Sequence, residues 1–118
     1  MEFVAFVGSD TENWGQVSAL LNRLEYETAL IVRSQGADSF PIGERCTVLD
    51  IDTTQPLLAL KEELLSKLKS KLSGDFEVSL SLASGTGKEH MALLSALLNI
   101  PVGVRLVVYT RDGVQYLS

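Results

Sequence analysis

The sequence holds one cysteine, Cys46, one histidine, His90, and fewer basic than acidic residues, and each shortage removes a class of protein. One cysteine excludes a disulfide framework within the chain, and its neighbours Thr47, Val48 and Leu49 mark it as a strand residue facing the core. One cysteine and one histidine cannot assemble a zinc site of the usual nitrogen and sulfur ligands, so no metal is expected, although carboxylate-only sites stay open. The net charge of −5 argues against long nucleic acid, which needs many cationic phosphate contacts, and leaves room for a small anion in a local cationic pocket. No stretch is long and apolar enough to span a membrane, and Met1-Glu2-Phe3 lacks the basic start of a signal peptide, so the expected location is cytoplasmic. The length suits one domain over residues 1–118 with a core of its own, and no resident cofactor is expected.

What the sequence does have is concentrated between Glu77 and Leu98. Val78, Leu80 and Leu82 alternate with serines at the period of a strand, and Met91, Leu94, Leu97 and Leu98 recur at helical spacing. Between them, Ser84-Gly85-Thr86-Gly87-Lys88 sets two glycines, two hydroxyls and a cation at the mouth of a helix. Glycines let a ligand approach the backbone, the first helical amides lack internal partners, and the helix dipole adds positive charge, so a phosphate is the expected guest. It is not a Walker A loop. That motif needs glycine where Leu82 stands and Ser or Thr where Glu89 stands. The alternative is a purely structural turn, with Thr86 capping the helix and Lys88 pointing into solvent.

The rest of the chain builds a sheet around this unit. Glu2 to Gly8 is a continuous apolar run suited to a central strand covered on both faces. The turn Ser9-Asp10-Thr11-Glu12-Asn13 leads into a helix carrying Trp14, Val17, Leu20, Leu21 and Leu24. Strands follow at Thr28–Arg33 and Arg45–Ile51, joined by a connection too short and too broken by Gly36, Pro41 and Gly43 for a crossover helix. Asp52 to Pro56 opens a long helix with Leu57, Leu60, Leu64, Leu68 and Leu72 on its apolar face, flanked by Leu58 and Leu65, and Ser73-Gly74-Asp75 ends it. Lys61, Lys67, Lys69 and Lys71 read as its solvated face. Val104–Tyr109 and Val114–Leu117 form a closing hairpin about Arg111-Asp112-Gly113. The fold class is α/β: a Rossmann-like three-layer sandwich with a mostly parallel sheet and a C-terminal antiparallel hairpin.

A first strand ending in Gly-Ser, a late strand ending in Ser-Gly-Thr-Gly-Lys before a helix with Met91, and a Val-Val-Tyr-Thr-Arg-Asp-Gly hairpin together resemble the CRISPR-associated Rossmann-fold domains. The resemblance implies a homodimer that binds a cyclic oligoadenylate over the ends of its central strands. It also implies ring-nuclease activity in those members that cut their ligand. By this likeness Ser9 and Lys88 are the candidate catalytic pair, and Gly85, Thr86 and Gly87 supply backbone to the ring phosphates. Gly8, Asp10, Thr11, Glu12, Asn13, Ser84 and His90 complete the expected ligand-binding set. Two features depart from the family pattern. The helix between the second and third strands has no room, and no attached effector domain is seen, so output would come from the chain's own chemistry or an effector partner.

Cleavage needs no metal in this scheme: a ribose 2′-hydroxyl attacks its own phosphodiester in line and leaves a 2′,3′-cyclic phosphate, with Lys88 and the loop amides offsetting charge. Trp14 stacks on a base, packs in the core or lies at a dimer interface. Glu12 and Asn13 read a base or cap a helix. Asp50 and Asp52 form a ribose-binding pair, or Asp52 caps the next helix. Arg111 and Asp112 fix a turn. The competing function is a non-enzymatic Rossmann-like module, binding a mononucleotide or regulating a partner. A dinucleotide oxidoreductase fits poorly, because Gly8-Ser-Asp-Thr-Glu-Asn is not Gly-x-Gly-x-x-Gly.

Overall fold

Six consecutive residues of β1 (Glu2–Val7) are buried, which a strand achieves only when both of its faces are covered. A computed structural model describes residues 1–72 and 76–118 and places β1 inside a six-stranded sheet. The remaining elements are α1 (Trp14–Arg23), β2 (Thr28–Ser34), β3 (Cys46–Ile51), α2 (Leu57–Lys71), β4 (Glu77–Ser81), α3 (Gly87–Leu98), β5 (Gly103–Thr110) and β6 (Gly113–Tyr116). The strand order is β3-β2-β1-β4-β5-β6, parallel throughout except for β6, which pairs antiparallel with β5. The α/β sandwich with its terminal hairpin is therefore as the sequence pattern indicates. The expected helix end at Ser73-Gly74-Asp75 lies outside the described residues.

Alternation along the strands sorts the core into two halves. Val4, Phe6, Leu30, Val32, Val78 and Leu80 face α2 and α3, where Leu60, Leu64, Leu68, Leu93 and Leu97 meet them. Phe3, Ala5, Val7, Ala29 and Ile31 face the other way, toward Val17, Leu20 and Leu24 of α1. The serines of β4 are not on a solvent face: Ser79 and Ser81 are wholly buried, and the Ser79 hydroxyl lies 2.9 Å from that of Tyr116. A strand interior to the sheet has no wet face, so its polar positions need partners inside.

β2 and β3 are parallel neighbours, yet residues 35–45 between them contain no helix. Phe40 and Ala37 of this connection are buried against the α1 side of the core, and Trp14 meets Phe40 edge to face at 5.5 Å. Two apolar side chains thus stand in for a helix face. Trp14 packs half-buried against that core, and its indole N–H donates to the Gly8 carbonyl at 2.8 Å.

α3 is rotated from the phase that its leucines suggest. Its buried residues are Glu89, Ala92, Leu93, Ala96 and Leu97, spaced i, i+3, i+4, i+7 and i+8, while Met91 and Leu98 stand exposed. The alanines carry the phase, because small side chains let α3 sit close to the sheet and to α2. On α2 the buried stripe is Leu60, Leu64 and Leu68, and Leu58 projects into solvent. Leu64→Ala leaves a cavity at a wholly buried site and should cost about 2–5 kcal/mol, read as a fall in the urea midpoint at unchanged slope.

Candidate functional site

The loops that leave β1 and β4 meet at the carboxyl end of the sheet, and one carboxylate joins them. Asp10 Oδ1 accepts the Ser84 hydroxyl at 2.7 Å, and its two oxygens lie 3.1 and 3.2 Å from the Gly85 amide nitrogen. The Asn13 side-chain amide donates to Asp10 Oδ2 at 2.7 Å. Ser84 in turn accepts the Gly8 N–H at 2.9 Å, so a relay runs from Gly8 through Ser84 to Asp10. Ser84 is wholly buried, and a hydroxyl there has to donate and accept. Burial pushes the Asp10 carboxyl up, but the hydrogen bonds from Asn13, Ser84 and Gly85 outweigh it and hold the group below its ordinary value.

Packing between the two loops explains two of the glycines. A Cβ on Gly8 would stand 3.1 Å from the Gly85 Cα, and one on Gly85 would lie 2.6 Å from the Phe6 ring, where φ is also +106°. Gly87 is different. Nothing lies within 4 Å of a Cβ placed on it, and it opens α3, where glycine is a poor helix former.

Several expected ligand contacts are engaged inside the protein. Thr86 and Glu89 form a capping box: the Thr86 N–H donates to the Glu89 carboxylate at 2.7 Å, and the Glu89 N–H donates to Thr86 Oγ1 at 3.3 Å. His90 donates from Nε2 to the Ser84 carbonyl at 2.7 Å and packs edge-on to Phe6. It braces the loop. Of the loop amides, those of Gly85 and Thr86 are therefore taken by carboxylates, and those of Gly87 and Lys88 have no hydrogen-bond partner among the described residues. Asn13 makes no side-chain cap to α1 and instead orients Asp10. Thr11 and Glu12 are exposed on a 3-10 turn.

Ser9 and Lys88 do not share a partner. The exposed Ser9 side chain lies against Gly36, where a built Cβ would come within 3.3 Å, whereas Lys88 Nζ donates to the Thr53 carbonyl at 2.9 Å. Gln35 makes two side-chain bonds to Thr53, one to its amide and one to its hydroxyl. Two sets of contacts, Asp10 with Ser84 and Lys88 with Thr53 and Gln35, therefore bind the ends of β1 to β4 into one rim. Gln35 and Thr53 were not singled out by their sequence context, because Thr53 acts largely through its backbone.

Asp50 and Asp52, the expected ribose contacts, are both engaged within the protein. Asp50 accepts two bonds from the Arg33 guanidinium, at 2.7 and 3.2 Å, across directly paired strands, and the Arg33 hydrogen bond holds its carboxyl below the ordinary value. Asp52 accepts the Thr54 amide and hydroxyl in a local turn, while the N-cap of α2 is Pro56, so Asp52 does not cap that helix. An open concavity of about 580 Å³ beside them is lined by Gln35, Asp38, Asp50, Ile51, Asp52 and Thr54. Among the described residues no three His, Cys, Asp or Glu side chains group as metal ligands, and no helix is long and apolar enough to cross a membrane.

Asp10→Asn keeps the size and removes the charge, and should cost about 2 kcal/mol at neutral pH. Because the folded value is lowered, the wild-type advantage is full above the unfolded value near 4 and disappears as pH falls through the folded one. Urea unfolding of both proteins at pH 7, 5 and 3 should show the gap closing only in acid, and an equal gap at all three would remove Asp10 as the source. No protein-family model matches the chain, and no curated protein matches its sequence.

Proposed function

We propose that this chain binds an anionic nucleotide over the carboxyl ends of β1 and β4. The observation that carries the reading is the amino end of α3, with exposed Gly87 and Lys88, standing where the strand order reverses between β1 and β4. In doubly wound sheets the connections on either side of such a reversal part to opposite faces and leave a crevice for a ligand. Gly87 has no packing reason to be glycine, its amide and that of Lys88 are open, and the exposed Lys88 ammonium, held by the Thr53 carbonyl and the charge of nearby Asp52, stands beside them. The resemblance to CRISPR-associated Rossmann-fold domains narrows the nucleotide to a cyclic oligoadenylate enclosed by two copies of the chain.

Cleavage belongs to the same reading as a further step. The ribose 2′-hydroxyl gives up its proton as its oxygen attacks phosphorus, the bond to the 5′-oxygen breaks, that oxygen takes up a proton in exchange, and a 2′,3′-cyclic phosphate and a 5′-hydroxyl result. Lys88 and the Gly87 amide would offset the charge that develops. Ser9, exposed beside Gly36 and sharing no hydrogen-bond partner with Lys88, would orient the ring. A second reading is favoured by one observation: Asp10 and Glu89 already fill the Gly85 and Thr86 amides, as they would in a structural turn of a non-enzymatic regulatory module.

Calorimetry with cyclic tetra-adenylate and cyclic hexa-adenylate in EDTA, with chromatography of the products, separates these readings. Binding weakened about tenfold or more by Lys88→Ala supports the nucleotide site, and linear products add ring-nuclease activity. Binding without products leaves a sensor that acts through a partner. No binding of either ring overturns the proposal in favour of the regulatory module.

A further inference from the structure

Among the described residues α2 and α3 both pack on one side of the sheet, which leaves α1 alone to cover the other. α1 ends at Arg23, and between its last turn and the edge strand β6 lies an open hollow of about 650 Å³. That volume is in the range of small-molecule sites, and the apolar lining of Met1, Leu24, Tyr26, Val114 and Tyr116 belongs to the α1-side core. The floor is held in place, because the Ser79 hydroxyl lies 2.9 Å from both the Met1 sulfur and the Tyr116 hydroxyl. Met1 and Glu27 immediately precede β1 and β2, so the hollow sits at the amino end of the sheet, opposite the nucleotide reading above.

Two side chains of opposite charge line this hollow without answering each other. Arg23 and Glu25 are exposed, two residues apart where the chain leaves α1, and neither forms an ion pair or hydrogen bond among the described residues. Glu27, also on the rim, is taken by the Met1 amino group. An anion alone would meet the Glu25 carboxylate. A cation alone would share the aromatic rings with guanidinium groups already there, since Arg45 stands 4.4 Å over Tyr26 and Arg105 3.9 Å over Tyr116. A molecule that carries both charges meets neither objection. We infer that the hollow binds a small zwitterion on an apolar body, the chemistry of a free α-amino acid with an aliphatic or aromatic side chain.

Each part of such a ligand has its counterpart. The carboxylate accepts paired N–H bonds from the Arg23 guanidinium, a fork that matches its geometry. The ammonium goes to Glu25, beside the carboxyl end of α1, where the helix dipole favours positive charge. The side chain lies against Leu24, Val114 and Tyr116 and loses its contact with water there. A ligand held in this way joins the end of α1 to the terminal hairpin. None of these residues belongs to the β1 and β4 rim, so the inference does not rest on nucleotide binding.

Amide NMR of the isotope-labelled chain, titrated with L-phenylalanine, L-leucine, hydrocinnamate and phenethylamine, tests this. Both amino acids should shift the amides of Leu24, Tyr26, Val114 and Tyr116. Hydrocinnamate lacks the ammonium and phenethylamine lacks the carboxylate, and each should bind about tenfold more weakly than L-phenylalanine. Arg23→Ala should weaken L-phenylalanine about tenfold and leave phenethylamine unchanged, while Glu25→Ala should weaken L-phenylalanine as much and leave hydrocinnamate unchanged. Both side chains are exposed, so circular dichroism should not move. No shift with either amino acid at millimolar concentration overturns the inference. So do equal affinities for L-phenylalanine and its two truncated forms, which mark an apolar surface only, or variants that weaken all three alike, which mark a structural loss. Nucleotide is absent from these titrations, so their failure is separate from a failure of calorimetric binding.

Discussion

The Asp10 carboxylate is the contact on which the upper half of the molecule depends. β1 and β4 are hydrogen-bonded neighbours but belong to opposite arms of the sheet, and their chains part in different directions once the strands end. A single ionised side chain closes the gap by taking the Ser84 hydroxyl and the Gly85 amide while Asn13 holds its other oxygen. Everything beyond it inherits that position: Gly85 is pressed onto Phe6, Thr86 is set as the cap of α3, and His90 is turned back to the Ser84 carbonyl. Gly8 and Gly85 serve closeness of approach before they serve any ligand.

This has a direct bearing on how an anion can be held. In many glycine-rich loops the phosphate accepts the loop amides. Here two carboxylates of the protein occupy that role for Gly85 and Thr86, which leaves the first turn of α3 and the Lys88 ammonium for a guest. A phosphate would lie outward of the loop, against the helix end, and not cradled within it. The separate concavity toward β3 is lined by Asp38, Asp50 and Asp52, of which Asp50 is already paired with Arg33.

The sheet and its order of elements were legible because alternation and glycine placement are local signals, and the cap of α3 by Thr86 was one of the two readings open for its loop. The phase of α3 was not, because Leu94 and Leu98 outweigh Ala92 and Ala96 when leucines alone are counted, whereas close packing favours the alanines. Asp50 looked like a ligand residue because its partner, Arg33, is adjacent only through strand pairing. The same holds for Asp10 and Ser84, which are far apart in sequence and joined by the fold. Residues that act over such separations carry no local signature. Gln35 and Thr53 were invisible for that reason and because a backbone carbonyl has no residue type.

The connection of residues 35–45 sets a limit on cooperativity. β3 is a sheet edge, paired only with β2, and on the α1 side it is sheltered by Phe40 and Ala37 where a helix would bring a whole apolar stripe. Lys67 donates to the Asp50 carbonyl, so one of the outward backbone acceptors of that edge is already occupied and less open to a foreign strand. Bonded along one side only, β3 and its loop form a unit that opens ahead of the β1 and β4 centre. In amide exchange the two halves of the rim would then belong to different clocks: Asp10 and Ser84 to that of global unfolding, Gln35 and Thr53 to a faster one.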